Sequence, residues 1–507
     1  MYRQFRAAYH FVDKLLLSRM SVRRQLALKG RVLKWARAMF PARSLVQHPG
    51  QLIERHGTDG MGPSWRSPAL PAWVKKEMLA LADIDPSLHP DGPLLGHVSF
   101  YSAAWCYDEP GQIYTELRNA IKSAVDIVIA VPWLKTGGAD LGALHVANTL
   151  ADDLGQRVLV LATEDANSPW AGRLSPRVQF LSMGGRLNGI DAGHQIDVLV
   201  RLLLQLRPSV FHVMNSRLAW DAVARNGLAL RQQMKLYASL YCDDFDKSGM
   251  PVGYARAYLP RCHPMLEAVV TDNQRTWRTW VAEMAVPESL FRVLPYPAPH
   301  SVHEGGIAGS AQGKALLWAG RLDRQKRPDV LARIAQALPS YRFDVYGASV
   351  WQPADIADLR NLPNVCLHGH YECFDDLVRH DHVAFIYTSE WDGMPNILME
   401  AAAAGLPVIA PNVGGIPDFI DESALVESCE DVAGYVAAIH RLVANPSLRE
   451  SAVAAMRENI TRTRRREAFV ARLSELMDLP TKADENGAGP TTDGGVAGTK
   501  GDVPVSG

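Results

Sequence analysis

The chain has 507 residues, 47% of them hydrophobic and 21% charged, as in a globular protein of two main domains with extensions. Six cysteines are scattered without a C-x-x-C pair, which speaks against a disulfide framework or a zinc site and fits a reducing compartment. No apolar run approaches the roughly 20 residues of a membrane span, and no secretory leader is expected.

The formal net charge of −1 hides an asymmetry. Residues 1–48 hold eleven Lys and Arg against the single acid Asp13, a local charge of +10 that leaves −11 for the remainder. Tyr2, Phe5, Tyr9, Val12, Leu16 and Met20 recur at helical spacing, so a basic amphipathic helix is expected. Two readings stand open: the helix lies on an anionic membrane surface, or it packs on protein. No nucleic-acid motif accompanies the charge, so no nucleic-acid partner is expected. Residues 49–96, rich in Pro and Gly, read as a connector with a short helical piece near Trp73–Leu81.

A first α/β domain is expected over 97–297. Its opening strand, Val125–Val131, runs into a loop containing Gly137-Gly138, then a helix through Leu154 and a strand at Arg157–Leu161. Further strands are expected at Val178–Ser182, Val210–Met214, Leu236–Tyr241, Ala268–Thr271 and Arg292–Leu294. Helices are expected at Gly193–Leu206, Leu218–Asn226 and Asn273–Met284. The glycine pair lets a ligand approach backbone at a helix N-terminus, though a tight turn alone would also use it. Asp243, Asp244 and Asp246, after the Leu236 strand, are candidates either for binding ligand hydroxyls or for capping the next turn. His212 lies inside a strand and is expected to be packed.

Residues 298–313 form a Pro- and Gly-rich linker. The second domain, 314–460, opens with the strand Ala315–Ala319, followed by Gly320-Arg321-Leu322-Asp323-Arg324-Gln325-Lys326 and a helix at Asp329–Leu338. Arg324 and Arg327 read as surface cations. The strand Arg342–Tyr346 ends at Gly347, and a strand at Asn364–Leu367 leads into His368-Gly369-His370-Tyr371. The strand His382–Tyr387 leads to Asp392-Gly393-Met394-Pro395, the helix Asn396–Ala404 carrying Glu400, and the strand Leu406–Ala410. Asp392 and Glu400, eight positions apart, can reach two parts of one ligand. Helices at Asp431–Ala444 and Ser447–Asn459 follow, then a basic helix over 461–479. The Gly-rich 480–507 is expected to be disordered.

This second-domain stretch resembles the E-x7-E signature of family 4 glycosyltransferases, with Asp-Gly-x-Pro, Glu, small residues and Gly-x-Pro-Val in order. The first acid is Asp rather than Glu, one methylene shorter. The resemblance covers roughly 97–479 and implies the GT-B fold: two Rossmann-like α/β domains around a cleft. It implies a retaining transfer from a nucleotide sugar. The basic first helix suggests a glycan or lipid-linked acceptor near the membrane, as in cell-surface polysaccharide biosynthesis, and a cytoplasmic location peripheral on the inner face. By this resemblance Arg321 and Lys326 clamp the donor diphosphate, Glu400 holds the ribose, and Asp392 with the backbone of Gly393, Met394, Pro395 and Asn396 holds the sugar. Gly137, Gly138, Gly320 and Gly347 lie against the donor. No metal or cofactor beyond the donor is expected. The family's usual His near the reacting centre is absent from Leu240–Asp246, which keeps an inactive GT-B scaffold as the rival reading. A nicotinamide dehydrogenase would require G-x-G-x-x-G after its first strand, which the chain lacks there.

Overall fold

The computed structural model describes residues 72–86, 89, 109–298, 313–348 and 356–480. The chain divides into two compact units, Met1–Ser102 and Ala103–Gly507. Of the first, the described part is essentially α1 (Ala72–Ile84), which exposes Leu79, Leu81 and Ile84. The basic extension 1–48, most of the connector and linker, and the tail beyond Leu479-Pro480 lie outside the described residues. Among the described residues no helix is long and apolar enough to cross a membrane.

The second unit holds two parallel sheets. The first runs α2 (Glu109–Ala120), β1 (Ile127–Val131), α3 (Gly138–Asp152), β2 (Val158–Ala162), β3 (Gln179–Ser182), α4 (Ala192–Leu206), β4 (Val210–Met214), α5 (Arg217–Leu230) and β5 (Lys235–Ser239). A small antiparallel hairpin, β6 (Asp244–Phe245) and β7 (Pro251–Val252), precedes α6 (Tyr254–Cys262), β8 (Ala268–Thr271), α7 (Gln274–Met284) and β9 (Phe291–Val293). The second sheet follows: β10 (Ala315–Ala319), α8 (Pro328–Ala337), β11 (Arg342–Tyr346), β12 (Val365–Gly369), β13 (His382–Ile386), α9 (Asn396–Ala403), β14 (Val408–Pro411) and β15 (Leu425–Val426). Three helices close the fold: α10 (Val432–Ala444), α11 (Pro446–Thr463) and α12 (Arg466–Met477).

Strand order is β3-β2-β1-β4-β5-β8-β9 in one sheet and β12-β11-β10-β13-β14-β15 in the other. Each order reverses beside its first strand, between β1 and β4 and between β10 and β13, and ligands of doubly wound sheets bind beyond the strand ends at that point. The loops there are the Gly137-Gly138 segment after β1, the Arg321–Lys326 segment after β10 and the Asp392 segment after β13. The β1 residues Ile127–Val131 are all buried, which is why they read as a continuous apolar run rather than an alternation.

The expected strands are present, with ends shifted by a residue or two for several; β5 stops at Ser239, before Tyr241. The final helices differ more. The break falls at Arg464-Arg465 rather than near Ile460, because the Arg464 carbonyl accepts Ala298 N–H and its buried guanidinium donates to the Tyr296 carbonyl. Beyond that break α12 packs on the first sheet's core through Phe469, Leu473 and Met477, each such burial contributing roughly 1.5–3 kcal/mol. The helices α2 and α6 and the β6–β7 hairpin were not foreseen.

His368 and the fully buried His382 both serve Asp344 on β11, at 2.8 and 3.0 Å. Burial pushes the Asp344 carboxyl up, but His382, Arg342 and His368 outweigh it and hold it well below the usual range. The His368 ring also stacks on Tyr346 at 4.4 Å.

Candidate functional site

The chain leaves β10 through a tight turn. Gly320 N–H donates to the Tyr346 carbonyl, and a Cβ on Gly347, whose φ is +140°, would meet the Gly320 carbonyl oxygen at 1.8 Å. Gly347 is therefore fixed by conformation and by close approach. Asp323 then caps a short 3-10 turn over Arg324–Lys326, accepting from Lys326 N–H. Arg321 is held by Gln325 at 2.6 Å and Asp323 at 3.1 Å, and its side chain keeps 41% exposure. It is a fixed cation with an open face.

Lys326 points to the neighbouring loop. Its Nζ lies 2.6 Å from Asp392 Oδ2 and also donates to the Tyr387 hydroxyl, which itself donates to Asp392. Burial pushes the Asp392 carboxyl up, but the Lys326 charge, its hydrogen bond, Tyr387 and Gly393 N–H together hold it below the ordinary value. The Asp392 loop is anchored from the β10 side by Gln325, which donates to the Trp391 carbonyl and accepts Glu390 N–H on its own carbonyl. Two residues assigned from sequence to separate parts of a ligand are thus joined in one ion pair.

Glu400, about one turn along α9, contrasts with Asp392. It is half-buried, and among the described residues no side chain or backbone donor pairs with its carboxylate. Burial, then repulsion from Asp375, raises its pKa. Such a carboxylate is a ready acceptor for ligand hydroxyls. The first amides of α9, from Asn396 and Ile397, lack intrahelical partners by the geometry of any helix start. The amides of Gly393 and Met394 are already used: Gly393 donates to Asp392 Oδ1, and Met394 donates across to Asp272 on the other lobe at 2.9 Å.

The first lobe supplies a different surface. Gly137-Gly138 opens α3, and a Cβ on Gly138 would stand 3.5 Å from Asn396 Nδ2. The glycine loop therefore faces the start of α9 across the cleft. Asp140 follows, its Oδ1 accepting Lys135 N–H, with burial lifting its pKa to about 6. Asp272, at the end of β8, is lifted to about 6 by burial as well, against hydrogen bonds from Met394 and Asn273. Where a His was sought after β5 stand Tyr241 and Cys242. The Cys242 thiol is pushed well up by burial and then by Asp392, Asp244 and Asp272, so it is neutral and lies near those carboxylates.

Of the acceptor-side candidates, Asp243 is committed to the interior. One oxygen accepts from Arg256 at 2.6 Å and the other from Trp280 Nε1 at 2.9 Å. Asp244 is exposed on β6. His212 is fully buried, with Nε2 on Ser239 at 2.8 Å and burial lowering its pKa to about 3, so it is packed and neutral. Arg324 and Arg327 are corrected from surface cations. Arg324 crosses to the hairpin, donating to the Phe245 and Asp246 carbonyls at 3.1 and 2.6 Å beneath Trp391. Arg327, 14% exposed, ties Asp329, Glu390 and Glu430 together. Sequence reasoning missed Asp140, Asp272, Tyr387 and Gln325 as parts of the site. No local signal marks them except the hydroxyl or amide spacing around the signature acids.

Residues 313–445 match the family model described as glycosyl transferases, group 1. The match lies in the second lobe. Among curated proteins, the Escherichia coli O-antigen biosynthesis glycosyltransferase WbnH is 29% identical over 121 residues, 24% of this chain and 35% of that protein. The chain thus spans about a third of WbnH's length in that match. Among solved structures, sucrose-phosphate synthase from Thermosynechococcus elongatus superposes with a TM-score of 0.56 at 18% identity, covering 69% of this chain and 98% of that one. HepE of Anabaena, solved in complex with UDP, gives 0.54 at 13% identity, covering 70% and 99%. Both cover the two lobes together, so the architecture is that of GT-B glycosyltransferases: paired Rossmann-like sheets with a cleft between them.

Proposed function

We propose that the chain is a retaining glycosyltransferase of the E-x7-E, family 4 type, moving a sugar from a nucleotide-sugar donor to a glycan or lipid-linked acceptor in cell-surface polysaccharide biosynthesis. The observation that carries the reading is the contrast between two acids one loop-helix unit apart. Asp392 is bound to a cation, while Glu400 is half-buried and, among the described residues, unpaired. A carboxylate kept without a protein partner at the cost of desolvation is explained by a ligand that supplies donors. The vicinal hydroxyls of a ribose fit that demand.

In this reading Glu400 accepts from the ribose, and Arg321 and Lys326 face the diphosphate. As the bond between the anomeric carbon and the phosphate oxygen breaks, negative charge grows on the leaving group, and fixed cations stabilise it. Lys326 is shared with Asp392, so the donor's phosphate and its sugar are read by one linked pair. Asp392 and the α9 start, with Asn396, hold the sugar; Gly137, Gly138, Gly320 and Gly347 leave room for it. The acceptor oxygen bonds to the anomeric carbon on the face the phosphate leaves, and its proton passes to the departing phosphate oxygen. Retention follows from that geometry. Asp243, with both oxygens engaged, is not assigned to the acceptor.

The relation to WbnH, described as an O-antigen biosynthesis glycosyltransferase, supports a polysaccharide setting. The basic segment 1–48 is the reason to include a membrane-proximal acceptor and a peripheral location at the inner face. Vesicle flotation of the full chain and of a chain lacking 1–48 tests this: loss of binding to anionic vesicles on truncation is expected, and unaltered binding would remove the membrane role. Transfer itself is tested by nucleotide release from a donor panel, with Glu400→Ala as the control that should not turn over.

A further inference from the structure

We propose that Asp272 is a positioning residue of the transfer site: from the first lobe it holds the backbone of Met394, and so sets the Asp392–Gly393–Met394 loop for the donor sugar. The inference rests on the glycosyltransferase reading above and extends it to the opposite lobe.

The Asp392 loop has two sides. On the side of its own lobe it is tied to Gln325 and Ser389. On the other side Asp272 Oδ2 accepts Met394 N–H at 2.9 Å, and among the described residues it is the first-lobe side chain that hydrogen-bonds this loop. The approach is close. A Cβ on Gly393 would lie 2.8 Å from Asp272 Oδ2 and 3.1 Å from the Tyr241 carbonyl, and one on Gly415 would lie 2.7 Å from Asn273 Cβ. Neither glycine has room for a side chain, so here the second lobe's backbone lies directly against Asp272 and Asn273.

Asp272 is itself well fixed. Asn273 caps α7 by accepting Thr276 N–H, and its amide donates both to Asp272 Oδ1 at 2.8 Å and to the Tyr241 carbonyl at 3.1 Å. Arg464, buried where the chain returns to the first lobe, offers the favourable charge, and Asp392 the unfavourable one. An asparagine would accept the same N–H without burying a charge. The charge-assisted bond to Met394 is stiffer than a neutral one and fixes the peptide that follows Asp392 and Gly393.

The test compares the full chain as wild type, Asp272→Asn and Asp272→Ala, titrated with UDP, UDP-glucose, UDP-galactose, UDP-N-acetylglucosamine, GDP and GDP-mannose. A positioning role acts on the sugar and leaves the nucleotide alone. Asp272→Ala is expected to bind the free nucleotide as wild type does, while the nucleotide sugar binds ~10-fold more weakly. Asp272→Asn, whose amide oxygen still accepts Met394 N–H, should recover most of that loss. Equal affinity for the nucleotide sugar in wild type and Asp272→Ala, tighter binding in the variant, or equal losses for nucleotide and nucleotide sugar in folded Asp272→Asn would each overturn the proposal. Wild type binding none of these compounds would instead overturn the donor reading, and the proposal with it.

Discussion

The two faces of the cleft are built on opposite electrostatic plans. The second lobe brings cations, Arg321 and Lys326, to the end of β10 and neutralises the deeper of them with Asp392. The first lobe brings carboxylates, Asp140 and Asp272; burial lifts both to about 6, and among the described residues neither has a salt bridge. An anionic leaving group is matched by the first arrangement and repelled by the second. Under the proposed transfer, the comparison assigns the phosphates to the second lobe and leaves the first to orient the sugar through hydrogen bonds and close approach.

The largest expected effect breaks the cationic side. Lys326→Ala leaves Asp392 buried without its partner, since the two side chains are only 15% and 18% exposed. Stability should fall by ~3–5 kcal/mol, and donor turnover by ~10²–10³ or more. Chemical denaturation and nucleotide release measure the two.

Glu400→Ala should do the reverse to stability. Its raised carboxyl contributes stability when protonated and loses it as pH rises, so at pH 7 the variant should be as stable as wild type or more so. Affinity for the nucleotide should drop ~10–100-fold, the worth of hydrogen bonds to a charged group. A loss of stability matching that of Lys326→Ala would erase the distinction between a paired and a waiting acid.

A smaller effect sharpens the acidic side. Burial raises the folded pKa of Asp272 to about 6, above the ordinary aspartate value, so wild type loses stability as pH rises from 4 to 6. Asp272→Asn lacks this dependence. At pH 7 it should therefore be relatively more stable, by on the order of 2 kcal/mol, than at pH 4. Arg464, Asp392, Tyr241 and Tyr296 face the same group, so the midpoint reports the whole seam. Urea unfolding across that pH range checks it.

The smallest concerns Gly138. Its added Cβ would meet Asn396 Nδ2 at an ordinary 3.5 Å, so Gly138→Ala should change stability by less than ~0.5 kcal/mol. Donor affinity should nonetheless weaken roughly fivefold, because the methyl enters the space between glycine loop and α9. Isothermal titration distinguishes this from a plain turn glycine, for which nothing would change.

The same contrast explains what the sequence discloses. Arg321, Lys326, Asp392 and Glu400 lie in strand-loop-helix units whose order is local, so spacing alone brings them to one strand end. The buried strands are legible because burial on both faces demands apolar runs. The first-lobe contribution is non-local. Thr271-Asp272-Asn273 reads as an ordinary helix start, and only the meeting of the lobes sets Asp272 against Gly393. Arg324 reads as a solvated cation until the β6–β7 hairpin, too short to carry a periodic signal, is folded beneath it. The break before α12 has no Gly or Pro; it is set by where Arg464 is buried.

The central claim is that Glu400 waits for the ribose of a nucleotide sugar. The most direct measurement is a thermal-shift panel of UDP-, GDP-, ADP- and dTDP-sugars on wild type and Glu400→Ala. The account expects one nucleotide to raise the melting temperature of wild type, as selective binding to the native state must, with the shift abolished in the variant. Stabilisation by none of them, or the same stabilisation in both proteins, would contradict it.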